Sequence, residues 1–147
     1  MATVAHKWFG LGVKSVITGA VDLDTDTLKY TLHTSTWTPN QDTNDFFDDA
    51  TNEVANGNGY TTGGITLASV AVTYDSASNE TRVDWADITW NFTAAKTWRY
   101  SALRKARGGA ASADELIAFG DWGSDQTVST DYTVQWDPLG LLYLAAA

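Results

Sequence analysis

Two histidines, at positions 6 and 33, are the only imidazole bases in this 147-residue chain, which has no cysteine. His6 lies near the first residue, and His33 occupies a polar position of an alternating segment. The sequence has no Gly-x-Ser-x-Gly motif, and without cysteine there is no thiolate nucleophile or thiolate metal ligand. A serine–histidine–aspartate triad around His33 stays open, but the pattern favours surface or edge positions for both histidines.

Alternating acids at Asp22, Asp24 and Asp26 resemble the first half of a calcium-binding loop, in which carboxylates converge on a hard cation. Thr27 stands where that loop needs glycine, and His33 stands where it needs a bidentate glutamate. We therefore interpret Asp22–Asp26 as an acidic turn before a strand, with cation binding as the open alternative. Three further acids are interpreted as exposed acids at a helical start: Asp45, Asp48 and Asp49. The sequence predicts no metal and no cofactor.

Catalysis by a carboxylate pair is the least favoured reading, because eighteen acids offer many pairs and the sequence singles out none. Seven tryptophans could instead stack on sugars. Four of them lie on the apolar side of alternating segments and are predicted to be core: Trp85, Trp90, Trp122 and Trp136. Trp8, Trp37 and Trp98 are the ones that could face a partner. A carbohydrate-binding adhesion module that uses Trp37 and Trp98 is therefore an alternative function.

The chain is strongly acidic, and its charged residues are unevenly distributed along the sequence. The net charge is -9, which argues against a nucleic-acid partner because phosphate binding needs clustered cations. Between residues 22 and 53 there are eight acids and one base, whereas residues 96–107 hold five bases and no acid. This layout predicts electrostatic docking through the basic stretch, with a solvated hairpin tip as the alternative. The candidate docking bases are Arg99, Arg104, Lys105 and Arg107.

Alternation of apolar and polar residues predicts that strands position all these groups. The clearest alternating segments are 28–33, 68–74, 87–92 and 132–137, and further strands are predicted at 81–85, 98–104, 115–122 and 140–144. Helix is expected only as one or two short turns, at 13–18 and 43–48. About eight short strands without a strand–helix–strand rhythm predict an all-β fold, an antiparallel β-sandwich or jelly-roll-like single domain over residues 1–147.

Both ends of the chain are apolar. Trp8, Phe9 and Leu11 precede the first clear strand, and we interpret residues 1–12 as a docking arm that contacts another molecule. The domain is then expected to fold without residues 2–11. The closing stretch 140–144 is interpreted as a last strand rather than an arm. No apolar run approaches the roughly 20 residues that span a bilayer, so we expect a soluble protein made in a cytoplasm, with no membrane partner.

The order of motifs along the chain resembles a family of small virion structural proteins of tailed bacteriophages. The resemblance is carried by WFGLGVKS at 8–15, DLDTDTLK at 22–29, STWTPNQD at 35–42, TNEV at 51–54, GYTTGG at 59–64 and LA at 67–68. It is clearest up to about residue 74 and more general afterwards, through Trp90, Arg99-Tyr100 and Phe119-Gly120. The basic stretch 104–108 departs from the family pattern.

The resemblance implies a β-sandwich on the virion that has no catalytic site. It implies most directly a decoration, or cement, protein that binds the major capsid protein on the outer surface of the assembled head. A homo-oligomer is expected, and a trimer would suit capsid threefold positions. A tail or head-fibre component is the alternative that the same resemblance allows.

Overall fold

Residues 4–137 and 142–145 are described by the computed structural model. One helix, α1 (Gly10–Ile17), and two short 3-10 turns, Phe47–Asp49 and Ala111–Ala113, accompany ten strands in this part of the chain. The strands are β1 (Ala5–Trp8), β2 (Leu28–His33), β3 (Ile65–Thr66), β4 (Ala71–Asp75), β5 (Glu80–Asp84), β6 (Ile88–Asn91), β7 (Lys96–Lys105), β8 (Leu116–Val128), β9 (Asp131–Val134) and β10 (Leu142–Ala145).

The strands form three antiparallel sheets. The largest has the order β1-β8-β7-β2-β3, a second has the order β10-β5-β4, and β6 pairs with β9 in a ribbon. The predicted all-β, antiparallel, sandwich-like class is confirmed, whereas the jelly-roll strand order is not. No helix in the described ranges has the length and apolarity needed to cross a bilayer.

The main core lies between one face of the five-stranded sheet and the two smaller sheets. Leu28, Tyr30 and Leu32 point into it from β2, as their alternation predicted. The four tryptophans predicted as core are also buried there. Aromatic rings fill much of this space, and Trp98 stands edge-on to Trp122 with 5.8 Å between ring centroids.

A second, smaller core covers the opposite face of the five-stranded sheet. It contains Phe9, Trp37, Ala50, Ala102, Leu116 and Phe119. Because this cluster lies over β2, Thr31 and His33 are fully buried rather than exposed to water. The prediction that His33 lies at the surface or an edge is therefore wrong, since β2 is an interior strand of the sheet and is covered on both faces.

The residues interpreted as a docking arm belong to the domain itself from β1 onwards. The strand β1 pairs with β8 in the register Ala5↔Asp121 to Trp8↔Ala118. The Phe9 side chain is fully buried, and its ring centroid lies 4.9 Å from that of Phe119. The interpretation of residues 1–12 as a docking arm is wrong for the described residues 4–12, because these residues pack within the domain, where they complete a sheet edge and the second core. Residues 1–3 lie outside the described residues.

The structure differs from the prediction at several elements, among them α1 and β4. The helix α1 begins three residues earlier than the predicted turn at 13–18. Alternation predicted that Val72 and Tyr74 point into the core, but 46% and 60% of these side chains are exposed. The strand β4 is a sheet edge that extends past the core, so its inner face is open. The stretch 140–144 was interpreted as a last strand of the sheet. Its described part, 142–144, pairs with β5 as part of β10, which confirms that interpretation.

Candidate interaction surface

An open groove lies between the inner face of the small sheet and the segment that follows α1. Its volume is about 470 Å³, within the range of about 300–1,000 Å³ of natural ligand sites. Eleven residues line it: Trp8, Val16, Gly19, Val21, Asp22, Leu23, Asp24, Val72, Thr81, Val83 and Leu144. Most of these side chains are apolar, so the groove suits an apolar group of another molecule.

The first wall of the groove comes from α1 and the loop after it. A Cβ atom on Gly12 would lie 2.5 Å from the Ile117 carbonyl oxygen, so only glycine lets the helix approach β8 this closely. The helix ends at Ile17, and the backbone N–H of the capping residue Thr18 donates to the Lys14 carbonyl. After Gly19, the backbone N–H groups of Ala20 and Val21 donate to the Ser15 carbonyl, and the Val21 side chain is buried.

The second wall is the inner face of the sheet β10-β5-β4. Register places Val72 opposite Val83 and Val83 opposite Leu142, and opposing residues in a sheet share a face. Val83 and Leu142 are buried in the main core. The next inward row is Tyr74, Thr81 and Leu144, which lies past the core edge. This row and Val72 leave a partly exposed apolar face toward the groove.

The strand β4 has an unpaired edge. Its only pairing partner among the described residues is β5, in a regular register from Ala71↔Asp84 to Asp75↔Glu80. The sequence AVTYD holds no lysine or proline, the residues that commonly block an edge. By contrast, β10 lies beside β1, and the Trp8 Nε1–H donates to the Tyr143 carbonyl oxygen at 3.2 Å. The open edge of this sheet is therefore β4.

Two exposed carboxylates, Asp22 and Asp24, lie on the rim of the groove. The Asp22 carboxylate accepts the backbone N–H groups of Asp24 and Thr25, at 2.9 and 3.2 Å. Hydrogen bonds from Thr25 and Asp24 hold the pKa of Asp22 below its usual value. These bonds, with that from the Asp22 N–H to the Asp26 carboxylate, confirm the interpretation as an acidic turn. Among the described residues, no group of three metal-ligating side chains comes together.

The predicted basic docking stretch is engaged inside the chain. Arg104 pairs with Asp114, a pair that is almost completely buried. Arg107 pairs with Glu115 at 2.6 Å, and Lys105 pairs with Asp26 at 2.7 Å. The two remaining bases are also bound, with Arg99 on Asp121 at 2.9 Å and the Lys96 ammonium on the Ala55 carbonyl.

This arrangement corrects the electrostatic part of the prediction. The bases at 96–107 and the acids at 114–121 lie on opposite arms of the β7–β8 hairpin, so the turn between them brings opposite charges together. The buried Arg104 offers no surface to a partner. Arg107 remains exposed, and Arg99 and Lys105 are half-buried, but each holds an internal carboxylate.

The apolar residues proposed to contact a partner differ in their exposure. Trp98 is fully buried and Trp37 is 4% exposed, so the expectation that they face a partner is wrong. Trp37 packs in the second core, with its ring centroid 4.6 Å from that of His33. Trp8 is half-buried and lines the groove. Leu11 is also half-buried and lines a smaller surface depression, of about 150 Å³, beside Asp45.

Both histidines are built into the polar interior. The His33 ring contacts the Thr31 hydroxyl at 2.8 Å and the Thr51 carbonyl at 2.9 Å, and burial lowers its pKa to about 4. The His6 ring contacts the Tyr30 hydroxyl at 2.7 Å, and burial lowers its pKa to about 3. Both rings are therefore neutral at physiological pH and act as parts of hydrogen-bond networks.

Sequence reasoning missed the groove, because it depends on which strand ends up at an edge. Alternation identified Val72 and Tyr74 as one face of a strand but assigned that face to the core. A scan against models of protein families and searches of curated proteins and of solved structures found no match.

Proposed function

We propose that this chain is a virion structural protein of a tailed bacteriophage, and that it decorates the outer surface of the assembled head. It acts by binding the major capsid protein and holding neighbouring subunits together, with no bond made or broken. The observation that carries the proposal is the open apolar groove beside the unpaired edge of β4. Its second support is the resemblance of the motif order to phage virion proteins.

The exposed apolar side chains around the groove support a protein-binding role. Tyr74 is 60% exposed, Val72 is 46% exposed and Leu144 is 37% exposed, and all three lie on one face of the small sheet. Contiguous apolar surface of this kind typically marks a protein interface. The unpaired N–H and C=O groups of an exposed strand edge promote aggregation of an isolated domain, but they provide hydrogen bonds to a protein that docks on them.

The ionisable groups that the sequence offered for chemistry are used to hold the fold. His33 is buried between Thr31 and Thr51, and Arg104 is buried against Asp114. Side chains engaged in this way stabilise a rigid scaffold. The geometry therefore supports a contact function better than it supports turnover of a substrate.

A decoration protein stabilises its target by mass action. It binds the assembled lattice and not the separate subunits, so each bound copy adds its binding free energy to the shell. The net charge of -9 favours the outer face, because packaged DNA repels an acidic domain. The proposal includes a homo-oligomer, with a trimer at capsid threefold positions as the expected form.

The burial of two tryptophans removes the support for the carbohydrate-binding alternative. It depended on Trp37 and Trp98 as a stacking platform, and both are buried in the two cores. The tail or head-fibre alternative remains an outcome of the experiment below.

The test is co-sedimentation of the purified chain with heads that lack it. We expect saturable binding in numbers that match the capsid subunits, and heads that withstand higher temperature once decorated. Val72→Asp places a carboxylate on the apolar wall and is expected to weaken head binding at least tenfold. Thr73→Asp, on the opposite face of the same strand, is the matched control and is expected to retain binding.

Two results would contradict different parts of the proposal. Wild-type chain that does not bind heads, but is found in purified tails at few copies, would replace the head assignment with the tail assignment. Equal head binding by Val72→Asp and the wild type would show that the groove is not the contact surface.

A further inference from the structure

From the shape and charge around the groove we infer the chemistry of the segment that occupies it. An extended segment of the capsid partner joins the free edge of β4 as a further strand, and it carries a lysine or arginine beside a bulky apolar residue. This inference rests on the proposed docking function and names the recognition element of that same surface.

The strand β4 has the properties of an acceptor edge. All five of its residues are paired on one side with β5 without a bulge, and no strand among the described residues pairs with the other side. An added strand gains main-chain hydrogen bonds whatever its sequence, and alternate side chains then supply specificity. Residues Ala71 to Tyr74 are exposed, so an incoming chain meets no covering element.

Register then determines where the side chains of the added strand go. Val72 and Tyr74 lie on the inner face, so the residues opposite them in an added strand lie on that face as well. That face opens into the groove lined by Trp8 and Leu23. A bulky apolar residue at such a position would bury itself against Val72, which is the gain that an edge pairing alone does not provide.

The rim of the groove is acidic, which favours a positive charge on the partner. Asp22 and Asp24 are exposed there; Lys105 acts electrostatically on Asp22, but neither carboxylate lies within ion-pair distance of a described base. The third acid of the turn, Asp26, is held by Lys105 at 2.7 Å, so the nearby internal cation is already engaged. The charge complementary to this rim is therefore a lysine or arginine on the incoming segment.

A second copy of this chain fits the edge less well than a basic segment does. Self-pairing of β4 would bring a strand whose one charged residue is Asp75, which is already bound to Arg82 at 3.1 Å. The rim carboxylates Asp22 and Asp24 would gain no counter-charge.

Photo-cross-linking on decorated heads tests the inference directly. The aromatic cross-linker p-benzoylphenylalanine replaces Tyr74 in one variant and Tyr143 in a matched control. Both tyrosines are exposed on the same sheet, but Tyr143 lies opposite Arg82 on the outer face. After irradiation, mass spectrometry identifies the linked segment.

We expect the Tyr74 variant to link to a capsid segment in which a lysine or arginine lies within two residues of a bulky apolar residue, and the Tyr143 control not to link to that segment. A link from position 74 to another copy of this chain, or to a segment without a basic residue, would overturn the inference. So would heads that bind both variants while only the control cross-links. Wild-type chain that fails to bind heads would instead refute the proposed function itself.

A charge-reversal pair gives an independent readout of the same inference. Asp24→Lys is expected to weaken head binding about five- to tenfold at low salt and to reduce its salt dependence. Asp48→Lys, an exposed acid on the 3-10 turn Phe47–Asp49, makes the same change of net charge away from the groove. Equal effects of the two variants would show that only the overall charge matters and would overturn the assignment of the rim.

Discussion

Replacing Arg104 by methionine tests how much the buried Arg104–Asp114 ion pair contributes to the stability of the fold. The guanidinium donates to the Asp114 carboxylate and, at 3.3 Å, to the Gly63 carbonyl. It also lies over the Phe47 ring, 3.9 Å from the ring centroid. Methionine keeps much of the side-chain stem and its contact with Phe47 but removes the charge. In the variant, Asp114 keeps the backbone N–H of Arg107 as its remaining observed donor.

The size of the effect follows from burial. Only 9% of the Arg104 side chain and 3% of the Asp114 side chain are exposed, so solvent cannot replace the lost partner. Removing one member of a buried pair costs about 3–5 kcal/mol, a large share of the roughly 5–15 kcal/mol that stabilise an average domain. With a urea dependence of about 2 kcal/mol per molar, the unfolding midpoint should fall by about 2 M.

Equilibrium urea unfolding followed by tryptophan fluorescence measures the effect. Arg99→Met is the matched control on the same strand, because the Arg99–Asp121 pair is partly exposed and should cost far less. The double variant Arg104→Met/Asp114→Leu should recover part of the loss, because no unpaired charge is left buried. Equal effects of Arg104→Met and Arg99→Met, or strictly additive effects in the double variant, would refute the reasoning.

Three further predictions concern stability, measured by the same unfolding assay. Phe9→Ala should cost about 3–5 kcal/mol because the ring is fully buried, and a near-neutral result would restore the interpretation as a free arm. Gly12→Ala should cost about 1–3 kcal/mol, because its Cβ would lie 2.5 Å from the Ile117 carbonyl oxygen; no change would show that the helix shifts freely. Because burial lowers the folded-state pKa of His33 from 6.5 to about 4 and that of His6 from 6.5 to about 3, the unfolded chain binds more protons than the folded chain between pH 6.5 and 4. Stability should therefore fall as the pH drops from 6.5 to 4, and a flat profile over that range in wild type would contradict this.

The sequence predicted the main core well, because alternation is a local signal of which face of a strand is apolar. Leu28, Tyr30 and Leu32 were assigned to one face of β2, and all three are buried there. Trp85 and Trp136 were assigned to the core in the same way and lie in it. The antiparallel class followed from the number and spacing of such segments.

The second core could not be predicted in the same way. Thr31 and His33 are polar, so alternation assigned them to water, but the Trp37 loop and Phe9 fold over that face. Whether a polar face is covered depends on distant segments, which local periodicity does not report. The same limit applies to Val72, whose exposure depends on β4 being the last strand of its sheet.

Charge patterning failed for a related reason, and the failure changes where a partner should be sought. Runs of like charge were taken as surfaces, but the β7–β8 hairpin places Arg104 and Arg107 beside Asp114 and Glu115. Once these bases are neutralised internally, the chain meets a partner as a net acidic body. Docking that depends on charge must then draw on basic residues of the partner, and head binding should weaken as salt rises. An affinity that rises with salt would show that apolar burial alone drives the contact.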